Sequence, residues 1–153
     1  MDIQFIKGTV NHFHDCTKAM EDSTLSDSYF QTEDSRKRAV MEGINSGNLY
    51  VALCDGKCVG FAYFILEGAF HAYHYIHLIA VKEEFRGKGL GKKLLEFIEA
   101  LLFETRSKIF LLVGDYNPGA KVFYEKLGYQ YLGTIPSLYR KGIDEYLMMK
   151  VKH

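Results

Sequence analysis

His77-Leu78-Ile79-Ala80-Val81-Lys82-Glu83-Glu84-Phe85-Arg86-Gly87-Lys88-Gly89-Leu90-Gly91 is the stretch around which the chain is arranged. Ile79, Ala80 and Val81 finish an apolar run, Lys82 to Glu84 break it, and Arg86 to Gly91 open the next element. From Leu90 the apolar residues fall at Leu94, Phe97, Ile98, Leu101 and Leu102, one face of a helix. Gly89 and Gly91 then lie in a first helical turn, whose N–H groups have no partner within the helix. Without Cβ atoms, glycines let an anion approach those donors, and the helix dipole adds a favourable field. Arg86, Lys88, Lys92 and Lys93 place four positive charges within eight residues, with no acid among them. Two readings fit: a phosphate cradle, or a tight turn leading into a solvated basic helix start.

Neither common nucleotide loop matches. The spacing G-x-x-x-x-G-K-[ST] is absent, because no Ser or Thr closely follows Gly91. The order G-x-G-x-x-G is reversed here, and no acid ends a strand about 20 residues further on.

Arg86-x-x-Gly89-x-Gly91 after an apolar strand resembles the acyl-CoA pyrophosphate loop of the GNAT superfamily of N-acyltransferases, whose pattern is Gln/Arg-x-x-Gly-x-Gly/Ala. A second segment, Asn117-Pro118-Gly119-Ala120-Lys121-Val122-Phe123-Tyr124-Glu125-Lys126-Leu127-Gly128-Tyr129, resembles the helix that carries a tyrosine near the coenzyme A sulfur in that family. The two occur in the family's order with a helix and a strand between them. The resemblance covers most of the chain and is weakest over residues 9–47.

Composition sets the outer bounds. A chain of 153 residues, 48% hydrophobic and 25% charged, is expected to fold as one domain, 1–153, with a full core. Zero formal charge argues against nucleic acid as a partner. No apolar stretch reaches the ~20 residues of a membrane-spanning helix, and the start lacks a signal-peptide pattern, so a cytoplasmic location without membrane association is expected. Three cysteines, Cys16, Cys54 and Cys58, are expected as free thiols, and their spacing points to no metal site. The charges are uneven. Asp15, Glu21, Asp22, Asp27, Glu33 and Asp34 face only Lys18 within residues 15–34.

The chain in order predicts a strand at Asp2–Lys7 and a helix capped by Thr9 with Val10, Phe13, Thr17 and Met20 inward. A polar connection, Glu21 to Ser35, precedes a second helix with Ala39, Val40 and Ile44 inward, ending near Gly47. Leu49–Cys54 and Cys58–Leu66 form a hairpin about Asp55-Gly56. Strands follow at Tyr73–Val81, Ile109–Val113, Tyr129–Gly133 and Tyr146–Val151, with helices from Leu90 and from Pro118, the latter capped by Asn117. Thr134 to Glu145 is expected as a loop. The order βααβββαβαββ matches the GNAT fold: an α/β (α+β) architecture with a mixed sheet of about seven strands and helices on both faces.

The resemblance implies roles. Acetyl-CoA would be the co-substrate and a primary amine the acceptor, joined by direct attack. The backbones of Ile79 and Val81 would hold the pantetheine arm and acyl oxygen. Arg86, Gly87, Lys88, Gly89, Leu90 and Gly91 would hold the pyrophosphate, with Asn117 a further coenzyme A contact. Tyr124 would donate to the departing thiolate. Many relatives carry a Glu as base four residues before the strand's terminal Val, and that place here is His77, with Glu67 and His71 as fallbacks. An imidazole with pKa near 6.5 suits proton removal at neutral pH. Strand alternation puts Tyr73, Tyr75, His77, Ile79 and Val81 on one face and His74, Ile76, Leu78 and Ala80 on the other. The acids of residues 21–34 with Asp144-Glu145 suggest a small cationic amine or a peptide amine as acceptor. Homodimerisation is a family tendency. A non-catalytic acyl-CoA sensor would share the phosphate loop and is the alternative reading.

Overall fold

The computed structural model describes residues 1–23 and 29–153. Among these, strands β1 (Ile3–Lys7), β2 (Leu49–Cys54), β3 (Lys57–Ala69), β4 (Tyr73–Val81), β5 (Lys108–Gly114), β6 (Gln130–Arg140) and β7 (Ile143–Val151) form one seven-stranded sheet. Its order is β1-β2-β3-β4-β5-β7-β6. Helices α1 (Phe13–Glu21), α2 (Glu33–Ser46), α3 (Leu90–Leu102) and α4 (Pro118–Lys126) complete the expected succession βααβββαβαββ. β4 and β5 are parallel and joined through α3, whereas β1–β2, β2–β3, β5–β7 and β6–β7 pair antiparallel, so the sheet is mixed. The chain groups into two compact units, Met1–Phe64 with Leu78–Ile98, and Ile65–His77 with Glu99–His153.

In the first unit, Thr9 caps as expected, but what it caps is a single 3-10 turn, Val10–His12, closed reciprocally by the His12 side chain. That turn has about three residues per turn instead of 3.6, which resets the helical phase. Val10 is therefore 65% exposed, and α1 buries Cys16, Ala19 and Met20. α2 begins two residues before Ser35, because the Thr32 hydroxyl accepts the Ser35 N–H and Glu33 and Asp34 favour the dipole of the first turn. Its end is the expected Gly47, at φ +77°. Asp55 and Gly56, both at positive φ, turn β2 into β3 and set Cys54 opposite Lys57. All three cysteines are buried thiols. Asp27, in the polar connection, lies outside the described residues.

Gly60 of β3 fixes how closely that strand meets the end of β4. A Cβ there would lie 2.7 Å from the Ala80 carbonyl oxygen and 3.2 Å from Val81 Cα. The rings of Phe5 and Phe97 stack at 5.0 Å, and Tyr50 joins them at 5.7 Å from Phe97.

The second unit is built on β5. Ile109, Phe110, Leu111 and Val113 are buried, as an unbroken apolar run in a central strand requires. The predicted loop Thr134–Glu145 is mostly strand. β6 and β7 continue to a tight turn at Lys141-Gly142, with a register shift between Ile135 and Arg140. The irregularity is held by the Asp144 carboxylate, which accepts the Ser137 N–H at 3.0 Å. Within this unit lies a buried polar group: Tyr129 donates to Glu99 Oε2 at 2.8 Å, and Lys150 Nζ reaches Glu99 Oε1 at 2.9 Å. Both charges are desolvated, so each depends on the other. Glu99→Ala should cost about 3 kcal/mol by stranding Lys150, a fall of roughly 6–12 °C in Tm for a chain of this length. Thermal unfolding tests it, with Glu99→Gln expected to lose less because its amide oxygen still accepts from Tyr129.

Candidate functional site

β4 alternates as the sequence predicts. His74, Ile76, Leu78 and Ala80 are buried, and Tyr73, Tyr75, His77, Ile79 and Val81 are half-buried on the other face. Its parallel register with β5 is confined to His74–Ile76 against Ile109–Leu111. Tyr75 and His77 lie ring to ring at 5.9 Å. Of the fallback bases, Glu67 is drawn into an ion pair with Arg106 at 3.3 Å, and His71 is exposed in the following turn.

Within the first unit, the segment after Val81 is closely tied down. The Lys82 N–H donates to the Val59 carbonyl at 2.8 Å, and its Nζ, almost fully buried, meets Asp15 Oδ1 at 2.6 Å. A short 3-10 turn, Glu83–Phe85, follows. Then come Gly87 and Gly89, both at φ +77°, with Lys88 between them. That alternation of left-handed and ordinary backbone is the kind that turns successive N–H groups toward one side in backbone anion nests. A Cβ on either glycine would meet nothing within 4 Å, so backbone conformation is what demands glycine. The first α3 hydrogen bond runs from the Lys93 N–H to the Gly89 carbonyl at 3.1 Å. Among the described residues, no acceptor meets the N–H groups of Gly87, Lys88, Gly89, Leu90, Gly91 or Lys92. Lys88, Lys92 and Lys93 are exposed around them, while Leu90 anchors the helix start in the core.

Arg86 is directed differently. Its Nε donates to the Val81 carbonyl at 3.0 Å and its Nη2 to the Asp22 carbonyl at 2.7 Å. The Asp22 carboxylate accepts the Glu83 N–H at 3.1 Å and pairs with Lys18 at 3.0 Å. Burial opposes ionisation of Asp22, but the Glu83 N–H, Lys18 and Arg86 outweigh it and hold the carboxyl below its usual range. The sequence carried no local sign of this arrangement. Its partners are more than 60 residues apart, and only the acids of α1 against a basic loop hinted at it.

In the second unit, Asn117 caps α4, its Oδ1 accepting the Ala120 N–H at 3.2 Å, and Pro118 follows at the first helical position. Tyr124 is buried, edge-on to Phe123 at 5.2 Å and to Tyr129 at 5.5 Å. Burial pushes its phenol above the usual pKa, so it stays protonated at neutral pH. Among the described residues, none bonds to its hydroxyl.

Residues 14–129 match the model of the acetyltransferase (GNAT) family. The chain belongs to the GNAT family. It is 37% identical over 105 residues to an uncharacterized N-acetyltransferase of Methanocaldococcus jannaschii, a match covering 67% of this chain and 65% of that protein. The N-alpha-acetyltransferase RimI of Mycobacterium tuberculosis is 33% identical over 106 residues, covering 67% of this chain and 66% of RimI. The chain thus spans just under two thirds of these relatives' length. The crystal structure of the PaiA N-acetyltransferase from Thermoplasma acidophilum, in complex with coenzyme A, superposes with a TM-score of 0.74 at 20% identity, covering 99% of each chain. The family's matched region includes the stretch from His77 to Gly91 and α4. Among the described residues, no helix is long and apolar enough to cross a membrane, and no group of His, Cys, Asp or Glu is placed to hold a metal.

Gly89→Asp puts a carboxylate where an anion would sit and a side chain where φ is positive. Coenzyme A affinity should fall at least about tenfold, measured by calorimetry on folded protein.

Proposed function

We propose that this protein is an acetyl-CoA-dependent N-acetyltransferase that passes the acetyl group directly to a primary amine. The observation that carries the reading is the row of N–H groups from Gly87 to Lys92 that no acceptor meets among the described residues of a GNAT-family chain. These donors, with Lys88, Lys92 and Lys93, suit a pyrophosphate. The backbones of Ile79 and Val81 serve the pantetheine arm and the acyl oxygen, and the β5 register stopping at Ile76 supports that role. The side-chain NH2 of the capping Asn117 serves coenzyme A as well.

His77 takes the proton from the acceptor ammonium, leaving a neutral amine to attack the thioester carbonyl. Collapse of the tetrahedral intermediate breaks the C–S bond and releases coenzyme A thiolate, while the attacking nitrogen gives up its second proton to solvent and becomes the neutral amide. Tyr124 meets that thiolate. Its raised pKa makes full proton transfer to a thiol of ordinary pKa uphill, so Tyr124 acts as a hydrogen-bond donor to the developing charge. A sensor without turnover needs no such unpaired phenol, which favours the enzyme.

The acceptor reading is a small cationic amine or a peptide amine. RimI, by its name, acts on alpha-amines, which keeps the peptide amine in view. The electrostatic pull on a cation is weaker than the count of acids suggests. Asp15, Asp22 and Glu33 are each paired with a lysine of this chain, and Asp144 holds Ser137.

Free-thiol release from acetyl-CoA, screened over polyamines, amino acids and peptides, tests the reaction. No release with any amine would leave the sensor reading in its place. Tyr124→Phe should lower kcat by about 10–1000-fold with acetyl-CoA affinity nearly unchanged, read by steady-state kinetics. His77→Gln should remove the acid limb of the pH–rate profile, since the limb reports the base losing its proton. A surviving limb assigns the base elsewhere.

A further inference from the structure

The phosphate loop carries one arginine, and both that arginine and Asp22 beside it turn polar groups to the chain itself. Arg86 bridges two neutral carbonyls, Val81 at the end of β4 and Asp22 just past the end of α1. Asp22 answers with its carboxylate on the Glu83 N–H, while Lys18, one turn back on α1, balances its charge. Seven residues earlier on the same helix, Asp15 holds buried Lys82. An i, i+7 pair lies close to one face of a helix, about 10 Å apart, so α1 grips residues 82–86 at two places. The N–H groups that follow, Gly87 to Lys92, meet no acceptor among the described residues.

We propose that Asp22 and Arg86 are positioning residues for the acyl-CoA pyrophosphate, locking the backbone from which those N–H groups project. The inference rests on the reading of this loop as the acyl-CoA site, and it separates from a purely electrostatic role by sign. Removing an acid beside a cationic anion site should strengthen anion binding if charge alone matters. Removing it should weaken binding if Asp22 holds the loop in shape, because mobile donors must be ordered when the anion arrives. Arg86 divides the two roles in the same way. Lysine at that position keeps the charge, but its ammonium on a flexible stem lacks the planar fork that spans two carbonyls.

Calorimetry of coenzyme A with wild type, Asp22→Ala, Asp22→Asn and Arg86→Lys tests the proposal, with Tm recorded for each. Asp22→Ala and Arg86→Lys should bind about tenfold more weakly. Asp22→Asn, whose amide oxygen still accepts the Glu83 N–H, should recover to within about threefold of wild type. Recovery by a neutral residue is an outcome that a charge effect does not produce, and weaker binding by Asp22→Ala at a Tm well above the assay temperature excludes general destabilisation. Equal or tighter binding by Asp22→Ala overturns the proposal, and so does Asp22→Asn binding as weakly as Asp22→Ala. Should Asp22→Ala not fold, Asp22→Asn and Arg86→Lys decide: wild-type affinity in Arg86→Lys refutes the lock. Wild-type protein that fails to bind coenzyme A sinks the acyl-CoA reading as a whole. Binding by wild type with unaffected variants sinks only the lock.

Discussion

A helix cannot satisfy its own first N–H groups, and in this chain that deficit is enlarged. Two glycines at φ +77° precede Leu90, so the open donors of α3 continue backward into the loop as far as Gly87. Among the described residues six amides are left without an acceptor, and that is useful only if they keep a common direction. Several other features serve that requirement. Leu90 and Leu94 root the helix in apolar surroundings, Gly60 allows β3 to close against Ala80 and Val81, and Lys82 is pinned on both its backbone and its ammonium.

The acids of the first unit read differently once their partners are visible. From the sequence they form an excess of negative charge with no evident counterpart. Asp15 and Asp22 belong to the basic loop, and Glu33 belongs to Lys37 one helical turn on. Exposed pairs such as Glu33–Lys37 add little to stability. Lys82–Asp15 is a different matter, because the ammonium is almost fully desolvated and would be costly without its carboxylate.

Features whose cause is local were legible in the sequence. The alternation of β4, the Asn117-Pro118 helix start, the Asp55-Gly56 turn and the apolar face of α3 each follow from a few adjacent residues, and each stands where it was expected. Features whose cause is distant were not. Glu99 sits among the leucines of α3 because Tyr129 and Lys150, 30 and 51 residues away, converge on it. Periodicity alone would class it as solvent-facing. The Arg86 guanidinium was read as a charge for a ligand, and nothing near it in sequence names Asp22, 64 residues earlier, as its partner. Val10 shows a third kind of miss: a single 3-10 turn changes the phase of all that follows, and its sequence does not distinguish it from the first turn of an α-helix. The candidate site was thus readable as a set of residue types, while the way its backbone is held was not.

The open amides and the three lysines around them act over different ranges. An ammonium is felt across a Debye length, about 8 Å at physiological salt, whereas an N–H engages only at about 3 Å. On the proposed acyl-CoA reading, capture and retention of the anion would be divided between side chain and main chain. The exposed lysines govern how often a polyanion arrives, and added salt slows that step. The amides govern how long it stays, and salt leaves that largely untouched. Evolution can retune the first by exchanging surface lysines at little structural cost, but the second is written into backbone geometry and changes only with the fold around it.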